Sequence, residues 1–142
     1  NAGASLAGTV VDASGNVLAV WEQLDPAVNR QLIWANRGVA GGGWGTPVAI
    51  SGTALASYDP SLAGNANGRG MVVWRSLDPT VGRFITMTAP FTPGAGWQAA
   101  VAIDPTEQSR APKVVLDGTG DATAVWPRVG ANAYQVWASR YR

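Results

Sequence analysis

Asp12-Ala13-Ser14-Gly15-Asn16-Val17-Leu18-Ala19-Val20-Trp21 decides how this chain is read, because the pattern occurs three times. It returns as Asn65-Ala66-Asn67-Gly68-Arg69-Gly70-Met71-Val72-Val73-Trp74, and again as Asp117-Gly118-Thr119-Gly120-Asp121-Ala122-Thr123-Ala124-Val125-Trp126. Other landmarks keep the first interval. Asp25-Pro26 aligns with Asp78-Pro79, Arg30 with Arg83, Trp44 with Trp97, and Ile50 with Ile103. Self-similarity over about fifty residues is the signature of a repeat architecture, in which each unit is one supersecondary element.

Each unit reads as four strands, here a to d. Strand a is short: Ala7–Val11, Pro60–Gly64 and Pro112–Leu116. An Asp/Asn-x-Ser/Asn/Thr-Gly turn follows. Its first side chain can accept from the turn backbone, and its glycine tolerates positive φ. Strand b (Val17–Trp21, Met71–Trp74, Ala122–Trp126) is apolar on both faces, which predicts cover on both. Leu24–Asn29 is a turn with a proline. Strand c (Gln31–Asn36, Phe84–Ala89, 133–140) alternates in polarity. Glycine turns ending at Trp44 and Trp97 lead to strand d, Thr46–Ile50 and Ala99–Ile103. No stretch carries a helical period, so the chain is all-β. The units run over about 7–59, 60–111 and 112–142 of one repeat domain, and the third holds no strand d.

Four strands per fifty-residue unit fit a β-propeller blade, with a β-trefoil as the alternative. The propeller is favoured, because a doubly apolar strand b suits a blade sandwiched between neighbours and a trefoil needs three full units. Propellers carry four to eight blades. Nearly three blades therefore imply further blades of a longer chain, or a ring shared between copies, to cover the apolar end faces.

Composition narrows the function classes. Of 142 residues 46% are apolar and only 13% charged, against about a quarter in a typical domain. Net charge is +1, which gives no field to gather nucleic acid. Cysteine and histidine are both absent, which removes the usual zinc ligands and the Ser-His and Cys-His nucleophile pairs. No cofactor and no metal is expected. Calcium at Asp12, Asn16, Asp117 and Asp121 is disfavoured by Arg69 at the aligned place, and the hairpin accounts for these residues. No apolar run has the length of a membrane span.

The stretches Asp12–Trp21, Ile33-Trp34-Ala35-Asn36-Arg37, Gly43-Trp44 and Val136-Trp137-Ala138-Ser139-Arg140-Tyr141 resemble the blade repeat of secreted or surface bacterial propeller proteins. Relatives of that kind include sialidase-like repeats and fucose-binding propeller lectins. The resemblance lies in the blade and brings no catalytic residue. It implies a secreted or cell-surface module that recognises a glycan or a partner protein and is not an enzyme. A self-assembling structural repeat and a glycoside hydrolase fragment are the alternatives.

Seven tryptophans sharpen the choice of residues. Trp21, Trp74 and Trp126 close strand b in every unit and read as structural. Trp44 and Trp97 follow glycine turns, where an indole can stack on the apolar face of a sugar. Trp34 and Trp137 share one strand c position with Met87, and Arg37 and Arg140 follow them by three residues. Trp34, Arg37, Trp44, Trp97, Trp137 and Arg140 are the expected ligand contacts. Asp25-Pro26, Asp59-Pro60 and Asp104-Pro105 read as turn formers.

Overall fold

A computed structural model describes residues 3–105, 108–130 and 133–142. Among the described residues thirteen strands form three antiparallel sheets. The first sheet holds β1 (Ala4–Val11), β2 (Val17–Asp25), β3 (Arg30–Val39), β4 (Gly43–Trp44) and β5 (Val48–Ala49). The second holds β6 (Ala56–Gly64), β7 (Gly70–Asp78), β8 (Arg83–Thr92), β9 (Gly96–Trp97) and β10 (Val101–Asp104). The third holds β11 (Lys113–Leu116), β12 (Ala122–Val129) and β13 (Tyr134–Tyr141).

Within each sheet neighbours in sequence are neighbours in space, β1-β2-β3 and then β4 and β5 along the outer edge of β3. The first strands β1, β6 and β11 lie side by side. The sheets therefore radiate from a common line of inner strands, which is the blade arrangement of a propeller. The trefoil alternative is set aside, because three separate sheets pack face to face.

The strands outrun their sequence-based limits. The β2–β3 ladder continues through Gln23↔Leu32 and Leu24↔Gln31 to Asp25↔Arg30, and β7–β8 continues to Asp78↔Arg83. Each ends where an aspartate closes the turn on itself. Asp25 Oδ1 accepts the Ala27 N–H at 2.8 Å, and Asp78 Oδ1 accepts the Thr80 N–H at 2.8 Å. This is the Asx chemistry that lets a short acidic side chain replace a backbone partner. The expected strand d appears as β5 and β10, and the Gly-Trp turns before it add the short strands β4 and β9 on the same edges of β3 and β8.

Two apolar layers hold the sheets together. Val20, Ile33, Ala35 and Ile50 of the first sheet pack with Val72, Trp74 and Ala89 of the second. Met71 and Val73, pointing the other way from β7, pack with Val114, Ala122, Ala124 and Trp126 of the third. Alternation along an extended strand sends successive side chains to opposite faces. That is why β7, apolar at every position from Met71 to Trp74, is buried on both.

The a–b hairpins stitch one end of the sheets. The Ala13 N–H donates to the Ala66 carbonyl at 3.0 Å, and Asn65 Nδ2 donates to the Asp117 carbonyl at 3.0 Å. Positive φ favours glycine there, and neighbouring side chains crowd close. A Cβ at Gly68, where φ is +78°, would sit 2.9 Å from the Asp12 carboxylate, and one at Gly120 would meet the Arg69 side chain.

Candidate functional site

At the end of the inner strands opposite the hairpins lies a pocket of about 200 Å³. Its walls come from all three sheets: Ser5 and Ala7 on β1, Glu22 on β2, Asp59 and Pro60 on β6, and Ala111 and Lys113 at the start of β11. Glu22 shares the face of Val20, two residues before it, and so reaches toward the second sheet. Its Oε2 accepts the Asp59 N–H at 2.9 Å.

Asp59 is not the turn former expected from its proline. It lies inside β6, where the register slips between Tyr58 and Ser61, and its φ is +53°. A left-handed backbone is unfavourable for a residue other than glycine, and the following proline disfavours helical backbone at that position. Strain of this kind persists only where the surroundings over-determine it, and bulges re-aim a side chain out of the ladder. Here Glu22 fixes the backbone N–H and Arg75 holds the carboxylate, Nε donating to Oδ2. The Arg75 guanidinium is itself seated over aromatic rings, 4.2 Å from the Phe84 centroid and 5.8 Å from that of Tyr58. Those two rings meet edge to face at 5.7 Å and 79°. The result is two carboxylates and two cations at one end of the inner-strand line, with one carboxylate anchored through a chain of partners.

The expected ligand residues are scattered over three places. Arg37 and Trp97 come together in a groove of about 490 Å³ between the outer strands of the first and second sheets. Phe91 and Gln98 line it too. The Phe91 and Trp97 rings pack 5.1 Å apart at 59°, and the Arg37 guanidinium lies 6.0 Å from the Phe91 centroid. Trp44 is exposed at the rim, against Gly38 and beside Gly45, which lines the groove. Trp34 lies outside it, paired with Trp21 across the first sheet, its indole N–H buried without an acceptor among the described residues. Trp137 and Arg140 stand on β13. Trp137 lies under the Arg128 guanidinium at 3.8 Å, and Arg140 pairs with Asp121 at 3.0 Å.

The turn aspartates face their own hairpins. Asp117 Oδ1 accepts from the Thr119 hydroxyl at 2.7 Å and from the N–H groups of Thr119, Gly120 and Asp121, each at 2.9 Å. The Thr119 hydroxyl leads in holding its carboxyl below the ordinary aspartate range, and the Asn16 side chain does so for Asp12.

Sequence reasoning missed Glu22, Asp59 and Arg75 as a group. One signal existed: the residue after the strand b tryptophan breaks the repeat, being Glu22, Arg75 and Pro127 in turn. A position that varies inside a strict repeat is free of the packing rule that governs its neighbours.

No family model matches the chain, and no curated protein matches it by sequence. Among solved structures it is similar to an endo-arabinase from Bacteroides thetaiotaomicron, with a TM-score of 0.58 at 14% identity. The match covers 98% of this chain and 55% of the other, so the chain spans about half of that protein's length. This likeness supports the all-β, propeller-like architecture. It also corrects the expectation of a non-enzymatic module, since the structure matched over nearly the whole chain is that of an enzyme.

Proposed function

We propose that this chain forms part of a carbohydrate-active propeller of the glycoside hydrolase type, with the inner-strand pocket as its reactive end. The observation that carries the reading is the placement of Glu22 and Asp59 on neighbouring sheets around one pocket, with Asp59 held in a strained backbone and anchored by Arg75. Glycoside hydrolysis uses two carboxyl groups. One protonates the departing glycosidic oxygen, and the other activates water or attacks the anomeric carbon. Asp59, fixed at its backbone and its carboxylate, takes the second role. Glu22, reaching in from the first sheet, takes the first. Lys113, on the opposite wall, would donate hydrogen bonds to sugar hydroxyls.

The outer groove supports a second, additive role. The groove lies on the outer strands toward the hairpin end, away from the pocket, and a saccharide lying in it would meet Trp97 and Arg37, with Trp44 at its rim. An indole face matches the C–H face of a sugar ring, and a guanidinium donates in a plane.

The test is reducing-end release from a panel of neutral polysaccharides that includes arabinan. Activity on at least one is expected. Removal of a positioned acid or base typically costs about 10²–10⁴-fold, so Glu22→Gln and Asp59→Asn should each lose on that order while far-ultraviolet circular dichroism stays unchanged. A flat panel, or activity untouched by both substitutions, would overturn the reading.

A further inference from the structure

Both internal interfaces are made by the same pair of surfaces. The repeat aligns Val20, Ile33 and Ala35, fully buried between the first and second sheets, with Val125, Val136 and Ala138 of the third. There Val125 is 39% exposed and Val136 79%, with Val115 and Tyr134 also open to solvent. At the other end of the molecule the first sheet turns outward Thr9, Val11, Trp21 and Trp34. These are the positions that Leu62, Gly64, Trp74 and Met87 fill at the first interface. Among the described residues, the outer faces of the first and third sheets are thus the two halves of an interface that the chain already makes twice.

We propose that the free face of the third sheet receives the free face of the first sheet of a second copy of this chain, in the register of the internal interfaces, and that two copies close one ring of six sheets. Head-to-tail contacts between unlike surfaces produce rings when the rotation closes. Two copies fall within the four to eight blades that propellers use, and three would exceed it. Continuity with the existing interfaces fixes the facing pairs. A Cβ at Gly64 would lie 2.5 Å from Val10, so these two positions are direct neighbours across the first interface. At the second interface the aligned pair, Ala63 and Leu116, packs in one cluster. The next pair in the series is Val115 of one copy and Val11 of the other, both exposed valines, at 65% and 63%. The buried Trp34 indole N–H, which has no acceptor among the described residues, lies on the face that the second copy covers. The association needs no ligand and stands apart from the catalytic reading, so either can fail alone.

The chain has no cysteine, so thiols can be placed without background. Val11→Cys and Val115→Cys chains, mixed and mildly oxidised, should form a disulfide between unlike variants. The chain carrying both substitutions should give a covalently closed dimer. Light scattering on the unmodified chain should show twice 14.7 kDa. Val136→Asp should raise the dimer dissociation constant at least about tenfold, as expected for a charge on a desolvated apolar face, while Val39→Asp, away from both faces, leaves it unchanged. Monomer mass throughout a dilution series, open polymers, or disulfides only between like variants would each overturn the proposal.

Discussion

Trp74 and Trp126 hold the same place in the repeat, yet the polar groups beneath them differ in kind. Trp74 donates within its own sheet to Ser76 Oγ at 2.9 Å, and Ser76 shares a 2.8 Å hydrogen bond with Ser57. All of it is neutral and buried. Trp126 donates across sheets, to Asp104 Oδ2 at 2.6 Å. Asp104 ends β10 of the second sheet and is 1% exposed. Arg128, which the repeat aligns with Ser76, grips the same carboxylate through Nε at 2.6 Å and Nη2 at 2.5 Å, and stacks on Trp137. The serine aligned with Ser57 is Ser109, and it accepts from the Thr86 hydroxyl of the second sheet at 2.8 Å. So one repeat position supports a neutral bond inside a sheet at one place and a charged clip between sheets at the next. The tryptophan sets the geometry; the residues around it decide what the interface is held by. Asp104, read from its proline as a turn former, is that clip.

Breaking the clip should have the larger effect. Asp104→Ala removes the buried carboxylate that joins the Trp126 indole N–H to the part-buried Arg128 guanidinium, and removing one partner of a buried pair costs about 3–5 kcal/mol. Urea denaturation followed by fluorescence should show that loss, with the third sheet exchanging its amide hydrogens first. A cost near zero would mean that apolar packing alone holds the second interface. The neutral position should be milder. Ser76→Ala strands the Trp74 N–H, while the Ser57 hydroxyl keeps the Leu55 carbonyl at 3.3 Å, at a cost of about 1–3 kcal/mol, by the same measurement. If Ser76→Ala cost as much as Asp104→Ala, the difference between the two interfaces would be one of chemistry without consequence.

The smallest effect belongs to the hairpins, where charge and its absence can also be compared. Asp117 and Asp12 have carboxyl groups held below the ordinary value of 3.8 by hydrogen bonds, while Asn65 serves the middle hairpin with no charge. A group whose folded pKa is depressed adds stability that is present above its unfolded pKa. That stability is lost as pH falls through the unfolded value to the folded one. Melting temperatures measured from pH 6 down to about 2.5 should therefore fall less steeply for Asp117→Asn than for the unmodified chain. Equal slopes would show that the turn bonds survive protonation.

Much of this architecture is legible in the residues. The hairpin pattern and Trp21, Trp74 and Trp126 mark the units, and the doubly apolar run from Met71 to Trp74 marks a strand covered on both sides. These are local properties, since a strand's face is set by alternation and a turn by a few side chains. The ends of the strands were less legible, because the long β2–β3 and β7–β8 ladders continue through polar residues that no hydrophobic pattern marks. Arg37 and Trp97 were picked singly from the sequence, and their shared groove came from the packing of the first sheet on the second.

By itself the sequence determined an all-β repeat of about fifty residues, the order of strands in each unit, the apolar faces and the tryptophans that occupy them. Only the tertiary structure decided which polar residues meet. Glu22 and Asp59 are 37 residues apart, and Asp104 and Arg128 are 24 apart. Their partners are chosen by how one sheet lies on the next. The left-handed backbone at Asp59 is likewise imposed by partners from two strands, Glu22 and Arg75, against the preference of the Asp-Pro pair itself. Local patterns repeat because packing repeats. Long-range polar contacts need not repeat, and in this chain they are what distinguishes one sheet from another.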